Sequence, residues 1–593
     1  MIDPIIEEQT HRAVSLGGHS LETTPRMGEK KNTSRPIRTA RSNEVLQKST
    51  TDEVTSVRRL AVVQRSGVRQ RSEMRQRSET WFRAAVSGLL AVLGGIAAGE
   101  LVAIPLSRMA SPFQAVTAFL VDNSPASARE WAITTFGTND KPALMIGVAI
   151  ALALLSMLAG ILQVMRPPAG VVLVVLVAAF GAFAAATRPT ADASYVIPAI
   201  VAGVVAVAVL IVLSRRSHVP QQVRSDPDGV DENSDGTKSI GTSRRAFLGA
   251  AAVVAGASAI SLVVARRVAD AGGVIAERAR LVLPRAKSAA PPIPSGVDVE
   301  GATPFLTSNA NFYRIDTALQ VPQLLTSDWR LRIHGMVDRE ITLDWNDLMA
   351  MSAQERIITL TCVSNEVGGD LASNARWIGY PMRDILAMVN PHADADMLLS
   401  TSVDGWTSGT PLDAITDGRD AMLAVGMNGT PLPLEHGYPV RQVIPGLYGF
   451  VSACKWVVDW EITRFDRAQS YWAKRGWGVK APIKTASRID KPAPLSTNPV
   501  GPVVVAGTAW AQHRGVRRVE VRVDDGPWNT ATLATEYSTD TWRQWSWTWQ
   551  ATPGQHTLYC RATDAEGKTQ TDQRVAPIPD GATGWHSRVV QVA

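Results

Sequence analysis

The sequence predicts a multidomain chain in which an all-α bundle of five transmembrane helices precedes an α+β domain and a C-terminal β-sandwich. Three observations predict it. Five apolar runs, each near the ~20 residues that cross a bilayer, crowd into residues 84–265. From residue 309 short alternating runs mix with helical ones, the signature of an α+β domain. Beyond residue 489 short alternating runs recur between turn signals such as Asp524-Asp525-Gly526 and Pro553-Gly554, as in a sandwich.

The 593 residues carry a formal net charge of +6, and its placement says more than its size. Residues 1–83 lack a sustained apolar period and are expected to form a disordered basic cytoplasmic tail. Arg58, Arg59, Arg65, Arg69, Arg71, Arg75, Arg77 and Arg83 gather just before the first apolar run. That favours a membrane boundary over a nucleic-acid-binding arm. Four spans follow within residues 84–213, at 84–106, 143–164, 169–187 and 195–213. Glu100 is the one carboxylate in the first of them and is expected near its outer end. Residues 107–141 are amphipathic in places, which suits the outer membrane surface.

Basic residues set the orientation. The tail, Arg166 and the Arg215/Arg216/Arg224 linker fall on one side, which becomes cytoplasmic. The linker, 214–245, ends in Ser243-Arg244-Arg245-Ala246-Phe247-Leu248, which resembles a twin-arginine export signal leading into a fifth span at 246–265. Five crossings put everything after residue 266 outside the cytoplasmic membrane, beginning with a connector over 266–308.

Only three cysteines occur, and no CxxC or Cys/His cluster, so zinc and iron–sulfur sites are not expected. None of the nine histidines lies in an apolar run, so the bundle offers no axial pair for haem. In the domain expected over 309–488, Cys362 ends the alternating run 357–362. Pattern alone leaves it open between a packed thiol and a soft metal ligand. Cys454 and Cys560 sit in β-like runs and are expected to be packed. A Pro-rich stretch, 489–499, is expected to link to the sandwich at 489–593.

Several motifs occur in a fixed order. They are Asn309-Ala310-Asn311-Phe312-Tyr313-Arg314, Thr361-Cys362-Val363-Ser364-Asn365 and Ala375-Arg376-Trp377, followed by Ser402-Val403-Asp404-Gly405-Trp406. Next come His436-Gly437-Tyr438-Pro439-Val440-Arg441 and Cys454-Lys455-Trp456. Together they make residues 301–593 resemble the sulfite oxidase family of molybdenum-cofactor enzymes, including its immunoglobulin-like domain. The resemblance implies a pyranopterin whose molybdenum is held by Cys362 and a dithiolene. It places Arg441, His436 and Lys455 at the cofactor's phosphate, where cationic donors are needed. Arg314 and Arg376 fall nearer the metal or pterin, and Asn309, Asn311 and Ser402 are cofactor contacts. Tyr313 offers a hydroxyl to the pterin or the reacting oxygen. Cys362, Tyr313 and Arg376 are thus the expected catalytic group.

The implied activity is oxygen-atom transfer to or from a small-molecule substrate. Electrons would pass to a separate cytochrome or quinone-linked partner, and the immunoglobulin-like domain would support a homodimer. One departure bears on substrate: Asn365 is followed by Glu366 and Val367, where sulfite oxidases carry arginines that neutralise their anionic substrate. A true sulfite oxidase, or a tethered binding protein that keeps the fold without catalysis, are the alternatives.

Overall fold

The computed structural model describes residues 77–106, 110–125, 140–188, 191–217, 244–271 and 273–593, with isolated positions 74, 128, 131, 132, 135 and 136. The tail expected over 1–83 lies almost wholly outside these residues, as do Ser243 and most of the 214–245 linker. Everything below lies within one compact unit, Gln76–Ala593.

Five helices are long and apolar enough to cross a membrane. They are α1 (Arg77–Ala103), α3 (Asp140–Met165), α4 (Ala169–Ala186), α5 (Ile197–Ser217) and α6 (Arg244–Ala271); a shorter helix, α2 (Pro112–Asp122), follows α1. Their burial pattern inverts that of a soluble protein. Ile150, Leu154, Leu176, Val204 and Val253 face outward, while Ala91, Ala159, Ala184 and Ala206 are buried. Small residues let the backbones meet, since there is little hydrophobic drive between helices in lipid. A Cβ on Gly88 would collide with the Ser156 carbonyl, and one on Gly160 with that of Ala84, so α1 and α3 cross at these glycines. Helix α2 starts with a local signal: Ser111 accepts from the Gln114 N–H at 3.3 Å and Pro112 occupies the first turn. The Ser111 hydroxyl also donates to the Glu100 carboxylate, giving that group a partner near the end of α1.

The middle of the chain builds two sheets from β1 (Arg330–Gly335), β2 (Ile341–Asp344), β3 (Gln354–Thr361), β4 (Ala372–Pro381), β5 (Met397–Ser402), β6 (Thr407–Pro411), β7 (Met422–Met427), β8 (Thr430–Pro431), β9 (Arg441–Val443) and β10 (Val457–Thr463). One runs β2-β1-β10-β5-β6 and the other β3-β4-β7-β8, with β9 also paired to β7. Trp329, Leu331, Ile333, Trp460 and Ile462 form a fully buried centre. Burial of this kind contributes about 25 cal/mol per Å² of apolar surface. Strand registers then gather the loops that carry chemistry. Strand β3 stops one residue before Cys362, Val457 pairs with Ser402, and Arg441 bridges directly to Lys455.

The C-terminal part is a two-sheet sandwich. Ala486–Lys491, Gly501–Trp510, Arg543–Ala551 and Thr532–Leu533 form one sheet, and five strands including Val516–Val523, Gly554–Asp564 and His586–Val592 the other. Val505, Val519, Trp545, Leu558 and Cys560 fill the space between them. The stretch expected to start a linker at Ile489 instead lies in the strand Ala486–Lys491. Arg488 and Asp490 pair at 2.7 Å there, both well covered, and their charge hid the strand's alternation.

Candidate active site

All the ordered motifs except Ala375-Arg376-Trp377 contribute to one cavity of about 130 Å³, lined among others by Tyr313, Cys362, Ser402, His436, Arg441 and Lys455. Cys362 is 7% exposed, a free thiol at the end of β3. Its N–H donates to the Leu371 carbonyl at 2.9 Å, fixing the loop that turns it inward. Burial raises its pKa, and contacts from Ser364 pull it back down. Cys454 and Cys560 are fully covered and packed, as expected.

Arg441 is 4% exposed and has no carboxylate partner among the described residues. Its guanidinium donates only to the carbonyls of His436, at 3.1 Å, and Gln442, at 3.3 Å, and it sits 5.1 Å from the Trp377 ring centre. Burial lowers its pKa to about 10, so it stays charged at neutral pH. A buried cation without an acid is costly unless an anion reaches it. Lys455 lies beside it, its pKa lowered to about 8 by burial against the opposing pull of Asp316. Its ammonium donates to Asp316 at 2.8 Å and to the Glu435 carbonyl at 3.0 Å. Gly437 makes this pairing possible. It holds φ +109, and a Cβ there would press on Arg441 Cβ at 2.9 Å and Lys455 Cβ at 3.2 Å.

His436 differs from the expected cationic donor. Burial, then Arg441 and Lys455, push its pKa down to about 3, leaving a neutral ring. That ring lies 3.2 Å from the Asn309 carbonyl and edge-on to Phe312. Burial raises the Tyr313 phenol, with the neighbouring Cys362 thiol acting in the same direction, so the hydroxyl keeps its proton.

The remaining expected residues lie off the cavity wall. Arg376, on β4, is partly covered and pairs with Glu355 at 2.8 Å. Arg314 is about half exposed and pairs with Asp316 at 2.9 Å, one contact from the cavity. The Asn309 side chain binds Asn428 and Thr430, and Asn311 is exposed. Asp404 and Trp406, carried by the 402–406 motif, line the cavity too, whereas Asp316 and the aromatic border of Phe450, Trp472 and Trp477 carried no motif in the sequence. Asp316 stands two residues after Arg314, but an acid beside a base reads as a surface pair until burial is known.

These features fit a molybdopterin: a soft sulfur ligand and two buried cations, one without an acid, line the same cavity. Chemically the site belongs to a molybdenum-cofactor oxidoreductase. Residues 318–472 match the oxidoreductase molybdopterin binding domain, and residues 486–559 match a bacterial Ig domain. The chain is 30% identical over 152 residues to the uncharacterized oxidoreductase YuiH of Bacillus subtilis, covering 26% of this chain and 73% of that protein. It is 28% identical to sulfite oxidase of Gallus gallus, over 48% of this chain and 72% of that one. It is 31% identical to the catalytic subunit of the protein-methionine-sulfoxide reductase, MsrP, of Ralstonia nicotianae, over 35% and 66%. Against the human mitochondrial sulfite oxidase the match spans 58% of that protein's length. The chain belongs to the sulfite oxidase family of molybdopterin oxidoreductases.

Proposed function

We propose that this is a membrane-anchored enzyme that transfers an oxygen atom from a small neutral S-oxide or N-oxide. Its catalytic half would lie outside the cytoplasmic membrane and take electrons from a separate partner. The observation that carries the reading is Cys362 lining the same cavity as a buried Arg441 that has no acid of its own among the described residues. Cys362 would ligate the metal, and Arg441 with Lys455 would hold the phosphate. When bound, the cofactor supplies two-electron oxygen-atom transfer. Tyr313 keeps a protonated hydroxyl to donate toward the reacting oxygen, and neutral His436 orients the pterin without adding charge. The aromatic border excludes water and accepts an uncharged substrate.

Substrate preference rests on charge. Glu366 is exposed, away from the cavity, so it does not repel an anion directly. Yet the one arginine among the residues lining the cavity is Arg441, taken up by the phosphate in this reading, and the aromatic border adds none. The relationship to MsrP supports a sulfoxide. The bundle supports the topology: Arg166, Arg215, Arg216 and Arg245 mark one end, while Lys141 and Arg188 at the other end touch the catalytic half. The Arg244-Arg245 pair at the start of α6 supports export of a folded, loaded domain. The immunoglobulin-like sandwich supports a homodimer.

Molybdenum and pterin measured on protein purified from membranes test the reading. The parent should carry about one of each per chain, Cys362→Ser should lose molybdenum, and methionine sulfoxide should be reduced with a viologen donor where sulfite is not oxidised. A metal-free parent from molybdate-replete cells, or Cys362→Ser with full molybdenum, would sink it.

A further inference from the structure

The helical bundle touches the cofactor cavity itself. Lys141, at the start of α3, donates its ammonium to the Asp316 carbonyl at 2.6 Å, to the Asp316 carboxylate at 3.2 Å and to the Ala318 carbonyl at 3.1 Å. Asp316 lines the cavity, and its side chain is 4% exposed. The same carboxylate accepts from Lys455 at 2.8 Å and Arg314 at 2.9 Å. One buried acid therefore holds three cations, two from its own domain and one from the bundle. Around this point the two parts also meet through Arg188, which donates to the Asp404 carbonyl at 2.7 Å, and through Gln114, which donates to Gln320 at 2.7 Å.

We propose that Lys141 is a positioning residue for the cofactor: it takes over part of the charge of Asp316, so that Lys455, beside Arg441, stays available to hold the cofactor's anionic tail. This rests on the molybdopterin reading of the cavity. Without Lys141 the carboxylate leans harder on Lys455, a donor that an incoming phosphate needs, with Arg314 its other partner. A buried carboxylate beside a phosphate is repulsive unless its own charge is met. Lys141 meets it from outside the cavity and also binds two backbone carbonyls, which fixes where the acid points. The bundle is thereby a part of the cofactor's holding apparatus, beyond its role as a tether.

The test measures cofactor loss from full-length, loaded protein in detergent: pterin and molybdenum remaining per chain over time after gel filtration. Lys141→Met should lose cofactor about tenfold faster than the parent, the effect of one charge-assisted contact. Lys141→Arg should hold it at the parent rate. Asp316→Asn should hold it as well as the parent or better, and adding Asp316→Asn to Lys141→Met should restore retention. That rescue separates charge balance from mere structural support, because a folding defect from losing Lys141 would remain in the double variant. Equal retention by Lys141→Met and the parent, or no rescue by Asp316→Asn, would overturn the proposal. A parent lacking pterin altogether would overturn the molybdopterin reading with it.

Discussion

His436 illustrates how a single side chain's burial sets its use. Its pKa of about 3 lies below the ordinary value of 6.5, so between these the unfolded chain binds a proton that the folded one refuses. Stability contributed by the neutral ring is therefore complete above pH 6.5 and is lost as pH falls toward 3. The slope is at most about 1.4 kcal/mol per pH unit for this group. Thermal midpoints of His436→Gln should fall less steeply than those of the parent between pH 6.5 and 4. Parallel curves would show that the ring titrates freely. The motif exposed this residue in the sequence, yet its charge state depends on Arg441 and Lys455 packing against it, which spacing does not reveal. The same holds for Arg376, which its motif singles out but whose side chain pairs with Glu355 and lines no part of the cavity.

Among the elements, the spans were legible because a bilayer's thickness imposes a length on apolar runs that nothing else in this chain imitates. Helix α2 left a weaker trace, the Ser111-Pro112 start, inside a segment read only as amphipathic. The strand Ala486–Lys491 was lost to its own charges, which cancel within the fold. The turn at Gly437 shows what an element must do for the site. Gly437→Ala places a side chain at φ +109 and against Arg441 and Lys455. Such backbone costs about 1–3 kcal/mol, so the variant should show a lower thermal midpoint and reduced pterin content together. A lowered midpoint with full pterin would mean that the cation pair tolerates displacement.

At the scale of the whole molecule, contacts between bundle and catalytic half were invisible in the sequence, because they join residues far apart: Lys141 to Asp316, and Arg188 to Asp404. Arg188 also pairs with Asp122 of α2 at 2.9 Å, while Arg475 from the catalytic half reaches the Asp122 carbonyl at 3.3 Å. Arg188→Met removes the centre of this seam. Limited proteolysis in membranes should then cut the 266–308 connector roughly fivefold to tenfold faster, the scale of about one lost hydrogen bond. An unchanged rate would show that the remaining contacts suffice.

The position of Lys141 has a consequence for biogenesis. It precedes α6, whereas its partner Asp316 follows α6. If the domain crosses the membrane already folded and loaded, it travels with Asp316 balanced only by Lys455 and Arg314, and meets Lys141 on arrival. Maturation would then have a last stage in which the newly delivered domain is sealed by helices inserted before it, and a domain that missed its berth would be the form from which cofactor escapes.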